Sequence, residues 1–386
     1  MRSLRFLQIG LGLALILVSL LITLALRQEK QKYHAQLDLK SRLETQLTAV
    51  KEELEALKNV DQKIRNDELQ AEIDQIEQAY QKAVEVYENL LTLKEKTTKT
   101  SHQDEQFAES LALLSQRNYA SASAGLTKLD QEIDQEKTKI IAAIEIPENI
   151  PENNQPPDSG YRRQKVTTEV GSFMVSLVVA DLNSTRVIVD TAADSDCADN
   201  CPVLPLATYV ARNGAFAGIN GSYFCPATYP SCAGKTNSFD TLLMNKNKVY
   251  FNSDNNVYST NPAVIFSGNS ARFVTQSLQW GRDTGVDAVI ANHPLLTLNN
   301  QIYFTGQGES SQGVRGNRSF VGTNGTTVYL GVVHNASVAQ AAQVVQALGI
   351  ANALNLDDGG STALWSGGYK VGPGRNLPNA LLFVRK

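Results

Sequence analysis

The sequence predicts an α+β protein in three parts. A transmembrane helix comes first, an α-helical coiled-coil stalk second, and a C-terminal domain of mixed or antiparallel sheet with few helices last. Three observations carry this reading. An apolar run fills Leu7 to Leu26. The next hundred residues are dense in Glu, Lys, Asp, Gln and Arg, with apolar residues at helical spacing. Beyond Lys165 the chain turns to short apolar runs broken by Gly and Asn.

With 386 residues, 42% of them hydrophobic, the chain has room for one large domain and additional parts. A formal net charge of −4 leaves no electrostatic footprint for nucleic acid. The charge is unevenly spread. After Cys201 the only acids are Asp240, Asp254, Asp283, Asp287, Glu309, Asp357 and Asp358. Two adjacent acids stand out in so charge-poor a stretch.

Leu7 to Leu26 has the length of a bilayer's hydrocarbon core. Arg2 and Arg5 precede it, and it lacks a convincing small-residue cleavage site. Residues 1–27 are therefore expected to be a signal anchor. The protein would be single-pass, with a cytoplasmic N-terminus and an extracytoplasmic C-terminal domain. Arg27, Lys30 and Lys32 after the segment weaken the positive-inside argument. All four cysteines, Cys197, Cys201, Cys225 and Cys232, lie in the C-terminal half, and an even count in an exported domain suggests disulfides. The local pairs Cys197–Cys201 and Cys225–Cys232 are expected, with the other two connectivities open. Zinc fits less well, because neither spacing is a common zinc pattern and no His is near.

Residues 28–98 read as coiled coil. Leu43, Leu47, Val50, Leu54, Leu57 and Ile64 follow a four-three spacing, which slips near Asn66-Asp67. It resumes with Leu69, Ile73, Ile76, Tyr80, Ala83, Tyr87 and Leu90. Such a helix is either a spacer that could form a homodimer or a helix packed on its own neighbours. Residues 99–146 suit a helical hairpin, with Phe107, Leu111 and Leu114 on one stripe, Leu126, Leu129, Ile133 and Ile140 on the other, and a turn at Gln116-Arg117-Asn118. Residues 147–164, with Pro147, Pro151, Pro156 and Pro157, make an extended linker.

The C-terminal domain, 165–386, then unfolds in order. Val166–Val170, Phe173–Leu182 and Arg186–Val189 read as antiparallel strands, and Leu204–Arg212 as a short helix stopped by Asn213-Gly214. Ala215–Ile219 is a buried strand that runs into Asn220-Gly221-Ser222-Tyr223-Phe224. Leu242–Met244 and Val249–Phe251 suggest a hairpin, and Ala263–Phe266 and Arg272–Val274 continue the sheet. Val286–Ala291 leads to Asn292-His293-Pro294, and Gly306–Gly316 is a glycine- and serine-rich loop with the character of a lid. Ser319–Thr323 and Val328–His334 are strands. Ser337 caps a helix through Leu348 that Gly349 ends. The strand Asn352–Leu356 follows, and Pro378–Val384 is the last.

The strand Asn352–Leu356 ends abruptly in Asp357-Asp358-Gly359-Gly360-Ser361-Thr362. Carboxylates at the end of a buried strand are costly to desolvate unless paired. The glycines allow a left-handed backbone, and successive N–H groups can cradle an anion. Taken alone, each candidate has a plain structural reading: a capped turn for Asp357-Asp358, a loop pinned by a disulfide for Asn220, a structural loop residue for His293, a surface arginine for Arg318. Five Asn-X-Ser/Thr patterns, at Asn183, Asn220, Asn317, Asn324 and Asn335, are mostly chance.

Together the motifs, in this order, resemble the phosphodiester glycosidase family. The resemblance rests on Asn220-Gly221-Ser222-Tyr223-Phe224, the following hairpin, His293-Pro294-Leu295-Leu296, Arg318 with its strand, the helix Val338–Leu348, and Asn355-Leu356-Asp357-Asp358-Gly359-Gly360-Ser361-Thr362. It implies hydrolysis of a sugar-1-phosphodiester in an envelope or extracellular glycan. Asp357 would stabilise an oxocarbenium-like state or activate water. Arg318 and the amides of Gly359, Gly360 and Ser361 would hold phosphate, with Thr362 beside them. Asn220, Ser222 and Tyr223 would bind the substrate, and His293 would bind phosphate or donate a proton. The family usually carries Gly where this chain has Asp358. No cofactor is required, and a cation such as Ca²⁺ could sit at Asp358. Adjacent strand residues face opposite ways, so the two acids are not expected to act together. The alternatives are a non-catalytic glycan-binding module and a coiled-coil envelope scaffold.

Overall fold

A computed structural model describes residues 2–58, 61–252, 260–306 and 310–386, apart from the side chains of 2–17, 61, 62, 142, 310 and 311. The chain divides into two compact units, Met1–Gln78 and Ala79–Lys386. The division falls inside a helix rather than at the proline-rich linker.

The first unit holds α1 (Arg2–Lys58) and the start of α2 (Asp61–Lys94). Its heptad residues Leu43, Leu47, Val50, Leu54, Leu57, Ile64, Leu69 and Ile73 are exposed. Among the described residues no helix is long and apolar enough to cross a membrane. Much of the expected membrane segment falls on residues 7–17, whose side chains lie outside the described residues.

The second unit opens with a helical module. α3 (Ser101–Ser115) and α4 (Tyr119–Ala142) pack on the second half of α2. Ala79, Ala83, Val86, Leu90 and Leu93 of α2 bury against Leu114, Ala122, Leu126, Leu129 and Ile133. The stretch 79–93, expected as coiled coil, is thus one edge of a three-helix cluster. Its apolar stripe finds its partner within the same chain. The turn falls where expected: Arg117 takes φ 60°, and Asn118 Oδ1 accepts from Ser121 N at 3.3 Å, capping α4.

The sheets begin with β1 (Gly160–Thr168), β2 (Gly171–Asp181) and β3 (Thr185–Thr191). α5 (Leu206–Asn213) follows, stopped by Gly214 in the left-handed region at φ 57°, and leads to β4 (Ala217–Asn220). Next come β5 (Leu243–Met244), β6 (Tyr250–Phe251), β7 (Ala263–Ser267), β8 (Ser270–Val274), β9 (Ala288–Ala291), β10 (Leu295–Leu298) and β11 (Gln301–Ile302). α6 (Ser310–Gly313), β12 (Gly316–Asn324) and β13 (Thr327–Ala336) precede α7 (Val338–Ala347) and β14 (Asn352–Asn355). The chain ends in β15 (Leu364–Ser366), β16 (Tyr369–Val371) and β17 (Asn379–Arg385). Part of the expected lid lies outside the described residues, at 307–309, and α6 occupies its second half.

Among the described residues the strands form three sheets, ordered β1-β2-β13-β12-β14-β10-β11, β16-β15-β4-β17-β3 and β6-β5-β9-β7-β8. Every ladder between these strands is antiparallel, and consecutive pairs such as β1–β2, β7–β8 and β12–β13 are joined by short turns. One core cluster joins all three sheets, through Leu330, Val321 and Leu354, then Val189, Ile219 and Leu381, then Leu243, Val264 and Ile290. α7 covers the opposite face of the seven-stranded sheet. A capping box starts that helix, Ser337 Oγ accepting from Gln340 N and Gln340 Oε1 from Ser337 N. Its C-terminal turn delivers β14 into the middle of the sheet. Both expected disulfides are present, Cys197–Cys201 and Cys225–Cys232.

Candidate active site

β4 and β14 end side by side, although they belong to different sheets. Asp357 N donates to Gly221 O at 2.9 Å, and Asn220 Nδ2 donates to Asp357 O at 2.6 Å. Asn220 Oδ1 also accepts from Ser319 Oγ at 2.9 Å and Ala363 N at 3.1 Å. Asn220 is fully buried. Its side chain therefore stitches the two strand ends together, a structural use where substrate binding was expected. Ser222 is similarly engaged: its N–H donates to Asn379 Oδ1 at 3.0 Å, and its hydroxyl accepts from Asn379 Nδ2 at 3.2 Å. Position 221 has to be glycine, since a Cβ there would overlap the Asn379 amide.

The two acids face opposite ways. Asp358 turns back toward β12 and meets four donors. Its Oδ2 accepts from Arg318 Nη1 at 2.9 Å, Tyr223 Oη at 3.2 Å and Asn355 Nδ2 at 3.0 Å, and its Oδ1 from Ser319 N at 3.2 Å. Such a donor shell stabilises a carboxylate and is the opposite of a cation's ligand set. Among the described residues no group of three or more His, Cys, Asp or Glu side chains could hold a metal ion.

Arg318 is equally engaged. Besides Asp358, its Nε donates to Ala336 O at 3.0 Å and its Nη2 to Val314 O. The pair is buried, the Arg318 and Asp358 side chains being 8% and 9% exposed. Here the structure departs from the expected phosphate clamp: the arginine's fork is spent on the protein itself.

Asp357 points the other way, into a tighter place. Its Oδ1 accepts from Asp358 N at 2.8 Å, and the Ser361 hydroxyl bonds to the same carboxylate. Burial pushes its pKa up to about 7, against the opposing pull of Ser361, Arg375 and the Asp358 N–H. Gly359 takes φ 58°, which turns the chain into a short 3₁₀ turn, Gly359–Ser361. Thr362 is buried at its end, its hydroxyl 3.4 Å from Asn317 O.

Tyr223 and His293 form the third wall. Their rings lie 5.0 Å apart, and burial, reinforced by the charges of Asp358 and Asp357, raises the Tyr223 pKa and keeps the phenol neutral. His293 precedes a cis proline and lies 3.4 Å from Gln312 Nε2 through its Nδ1. Beyond it opens a cavity of about 540 Å³, lined by residues including Asn261, Thr275, His293, Tyr303, Phe304 and Gln312. Both Gln312 Oε1 and Asn355 Oδ1 are buried acceptors with no partner among the described residues.

Three residues beside this turn and Arg318 carried no signal in the sequence. Arg375 comes from the loop between β16 and β17. Its N donates to Gly360 O at 2.8 Å, its guanidinium lies over the Tyr229 ring at 5.2 Å, and its charge faces Asp357. Glu95 and Lys96 come from the end of α2. Glu95 pairs with Arg375. Lys96 has its pKa lowered by burial and by the charge of Arg318 nearby, against the pull of Glu95.

Paired strand-end acids on an antiparallel α+β scaffold, one neutralised by an arginine and one held near neutral pKa, are an arrangement that carboxylate-based hydrolysis can use. Residues 213–384 match the family model described as phosphodiester glycosidase. Structures similar in part include the zebrafish N-acetylglucosamine-1-phosphodiester alpha-N-acetylglucosaminidase catalytic domain, described as auto-inhibited by its pro-peptide. It is 15% identical, with 61% of this chain and 87% of that chain covered and a TM-score of 0.47. A hypothetical protein from Synechocystis is 15% identical, with 58% of this chain and 62% of that chain covered and a TM-score of 0.42. A putative exported protein from Burkholderia pseudomallei is 12% identical, with 55% and 74% covered and a TM-score of 0.36. No curated protein sequence matches the chain.

Proposed function

We propose that this protein hydrolyses a sugar-1-phosphodiester in an envelope or extracellular glycan, with Asp357 as the reacting carboxylate. The observation that carries the reading is the environment of Asp357, a buried acid with a pKa of about 7 within the family-matched domain. A base with that pKa is half ionised at neutral pH and takes up a proton readily. Ionised Asp357 removes a proton from the water that attacks sugar C1. The C1–O bond breaks, and its electrons leave with the phosphate oxygen. The products are the free sugar and a phosphomonoester of the remaining glycan. A phosphate departs without prior protonation, so a strong general acid is not needed.

The other residues take supporting roles. Arg318 neutralises Asp358 and thereby fixes the turn that carries Asp357. With Arg318 opposite it, Asp358 is a built part of the site, which favours an enzyme over a glycan-binding module with a damaged motif.

The rest of the chain supports display at a membrane. Val18, Leu20, Leu21, Ile22, Leu24 and Leu26 of α1 are all exposed apolar residues, continuous in sequence with the apolar run that starts at Leu7. We read this run as a single-pass anchor with a cytoplasmic N-terminus. The two disulfides support an extracytoplasmic place for the sheet domain. The exposed heptad residues of residues 43–73 support self-association. The test of the enzymatic reading is incubation of the full chain with a panel of UDP-sugars and sugar-phosphate diesters. Release of free sugar is expected from at least one diester. Binding to a glycan without turnover over long incubation would overturn it.

A further inference from the structure

The reaction needs a cation at the phosphate, and Arg318 does not supply it, since Ala336 O, Val314 O and Asp358 occupy its fork. Arg375 lies on the opposite side of the turn, beside Asp357. Its backbone is tied to Gly360 O, and Tyr229 supports one face of its guanidinium. Its side chain is 20% exposed, so it remains within reach of a ligand.

The anion that Arg375 holds comes from outside the sheet domain. Glu95 stands just past the last turn of α2, in the helical module of the same compact unit. Its carboxylate rests against the Gly359-Gly360 turn, in the space a Cβ at position 360 would fill along with the Arg375 guanidinium. Glycine at 360 thus keeps open a small seat in which an anion meets both the turn and an arginine. A carboxylate and a phosphate present similar pairs of oxygens to a guanidinium fork. The Glu95 side chain is 33% exposed, so water reaches the pair and screens part of its attraction. The singly charged phosphodiester of the substrate matches the charge of the carboxylate and can take its place at the guanidinium.

We propose that Arg375 is the phosphate-binding residue of this site, and that the Glu95 carboxylate of the helical module stands where the substrate's phosphate goes. The proposal rests on the hydrolase reading above. It adds a specificity determinant that the motif residues do not contain: the anion seat is formed by Arg375 and Gly360, and the helical module sets how readily it is vacated.

The test is binding of inorganic phosphate to the full chain by titration calorimetry, for the wild type, Glu95→Gln, Arg375→Lys and Arg375→Met. Circular dichroism and Tm confirm that each variant is folded. Turnover of a sugar-1-phosphodiester is followed in parallel, with Asp357→Asn as the marker for the hydrolase reading. Removing the competing charge in Glu95→Gln should tighten phosphate binding about tenfold and lower KM, and Arg375→Met should weaken binding by at least about tenfold. Arg375→Lys should fall between, keeping the charge and losing the fork. Phosphate affinities within twofold of the wild type in folded Glu95→Gln and Arg375→Met would overturn the proposal. If at the same time Asp357→Asn abolishes turnover, the hydrolase reading stands without it. If the affinities shift as stated while no diester is cleaved, the anion seat stands and the hydrolase reading falls.

Discussion

Asp357 and Asp358 are neighbours in sequence and opposites in environment. Asp358 faces the β12 side of the turn and is surrounded by donors, Arg318 foremost. Asp357 faces the β16–β17 loop and is buried with few donors, so its proton is held up to about pH 7. One carboxylate is spent on structure, and the other is the one we propose for chemistry. The difference teaches how a single turn separates the two tasks: a strand end reverses successive side chains, and each side is then furnished by a different part of the chain.

The largest expected effect comes from breaking the structural side. Asp358→Ala leaves Arg318 charged and buried without its counter-ion, and should cost about 3–5 kcal/mol in a denaturant titration. Replacing both partners, Arg318→Met with Asp358→Leu, should cost less than Asp358→Ala alone. A double variant worse than the single one would show that the pair is not the unit described here.

The chemical side should respond with the opposite sign. Folding raises the Asp357 pKa from 3.8 to about 7, so the native state holds a proton that the unfolded chain gives up at lower pH. The stability linked to this group is full below about pH 4 and is lost as pH rises through about 7. Asp357→Asn removes that loss and can still accept from Asp358 N. At pH 8 it should stabilise the protein by at least about 1 kcal/mol, or about 2–4 °C in Tm. An unchanged or lowered Tm at pH 8 would remove the burial argument for Asp357.

A smaller effect lies away from the site and supplies a control of opposite direction. His334 on β13 is half-buried, its Nε2 3.0 Å from Ser176 Oγ, and desolvation aided by the charge of Arg163 lowers its pKa from 6.5 to about 4. The unfolded chain protonates first as pH falls, so this group costs stability between about pH 6.5 and 4. His334→Gln should flatten the fall of Tm on acidification over that range without altering the behaviour above pH 7. An equally steep fall would assign the acid sensitivity to other groups.

Much of this could be read from local pattern. Ser337 and Gly349 bracket α7, Gln116-Arg117-Asn118 makes its turn, and the nearby cysteines pair as expected. The two strand-end motifs at Asn220 and Asp357 do come together. What failed to show depends on partners distant in sequence. Arg318 and Asp358 meet because β12 pairs with β14 in one register, Phe320 opposite Asn355. Arg318 by itself carries no mark that it will be consumed. Arg375 lies in a Gly-Pro-Gly loop without motif, and Glu95 looks like one more charge on a charged helix. The heptad spacing runs unbroken from Leu69 to Leu90, yet Ala83 and Leu90 are buried within the chain while Leu69 and Ile73 are exposed. Periodicity marks an apolar face and is silent about what covers it. The short strands β10, β11, β15 and β16 escape for a related reason, being held by neighbours more than by their own propensity.

The most direct test of the central claim is the pH dependence of kcat/KM for a sugar-1-phosphodiester, measured on the wild type and on Asp357→Asn. If ionised Asp357 takes the proton from the attacking water, the wild-type profile rises with an apparent pKa of about 7. Asp357→Asn then loses that limb and falls by about 10²–10⁴-fold. A wild-type profile that is flat from about pH 5 to 9, or a variant that keeps the rising limb, would contradict the assignment of Asp357 as the reacting carboxylate.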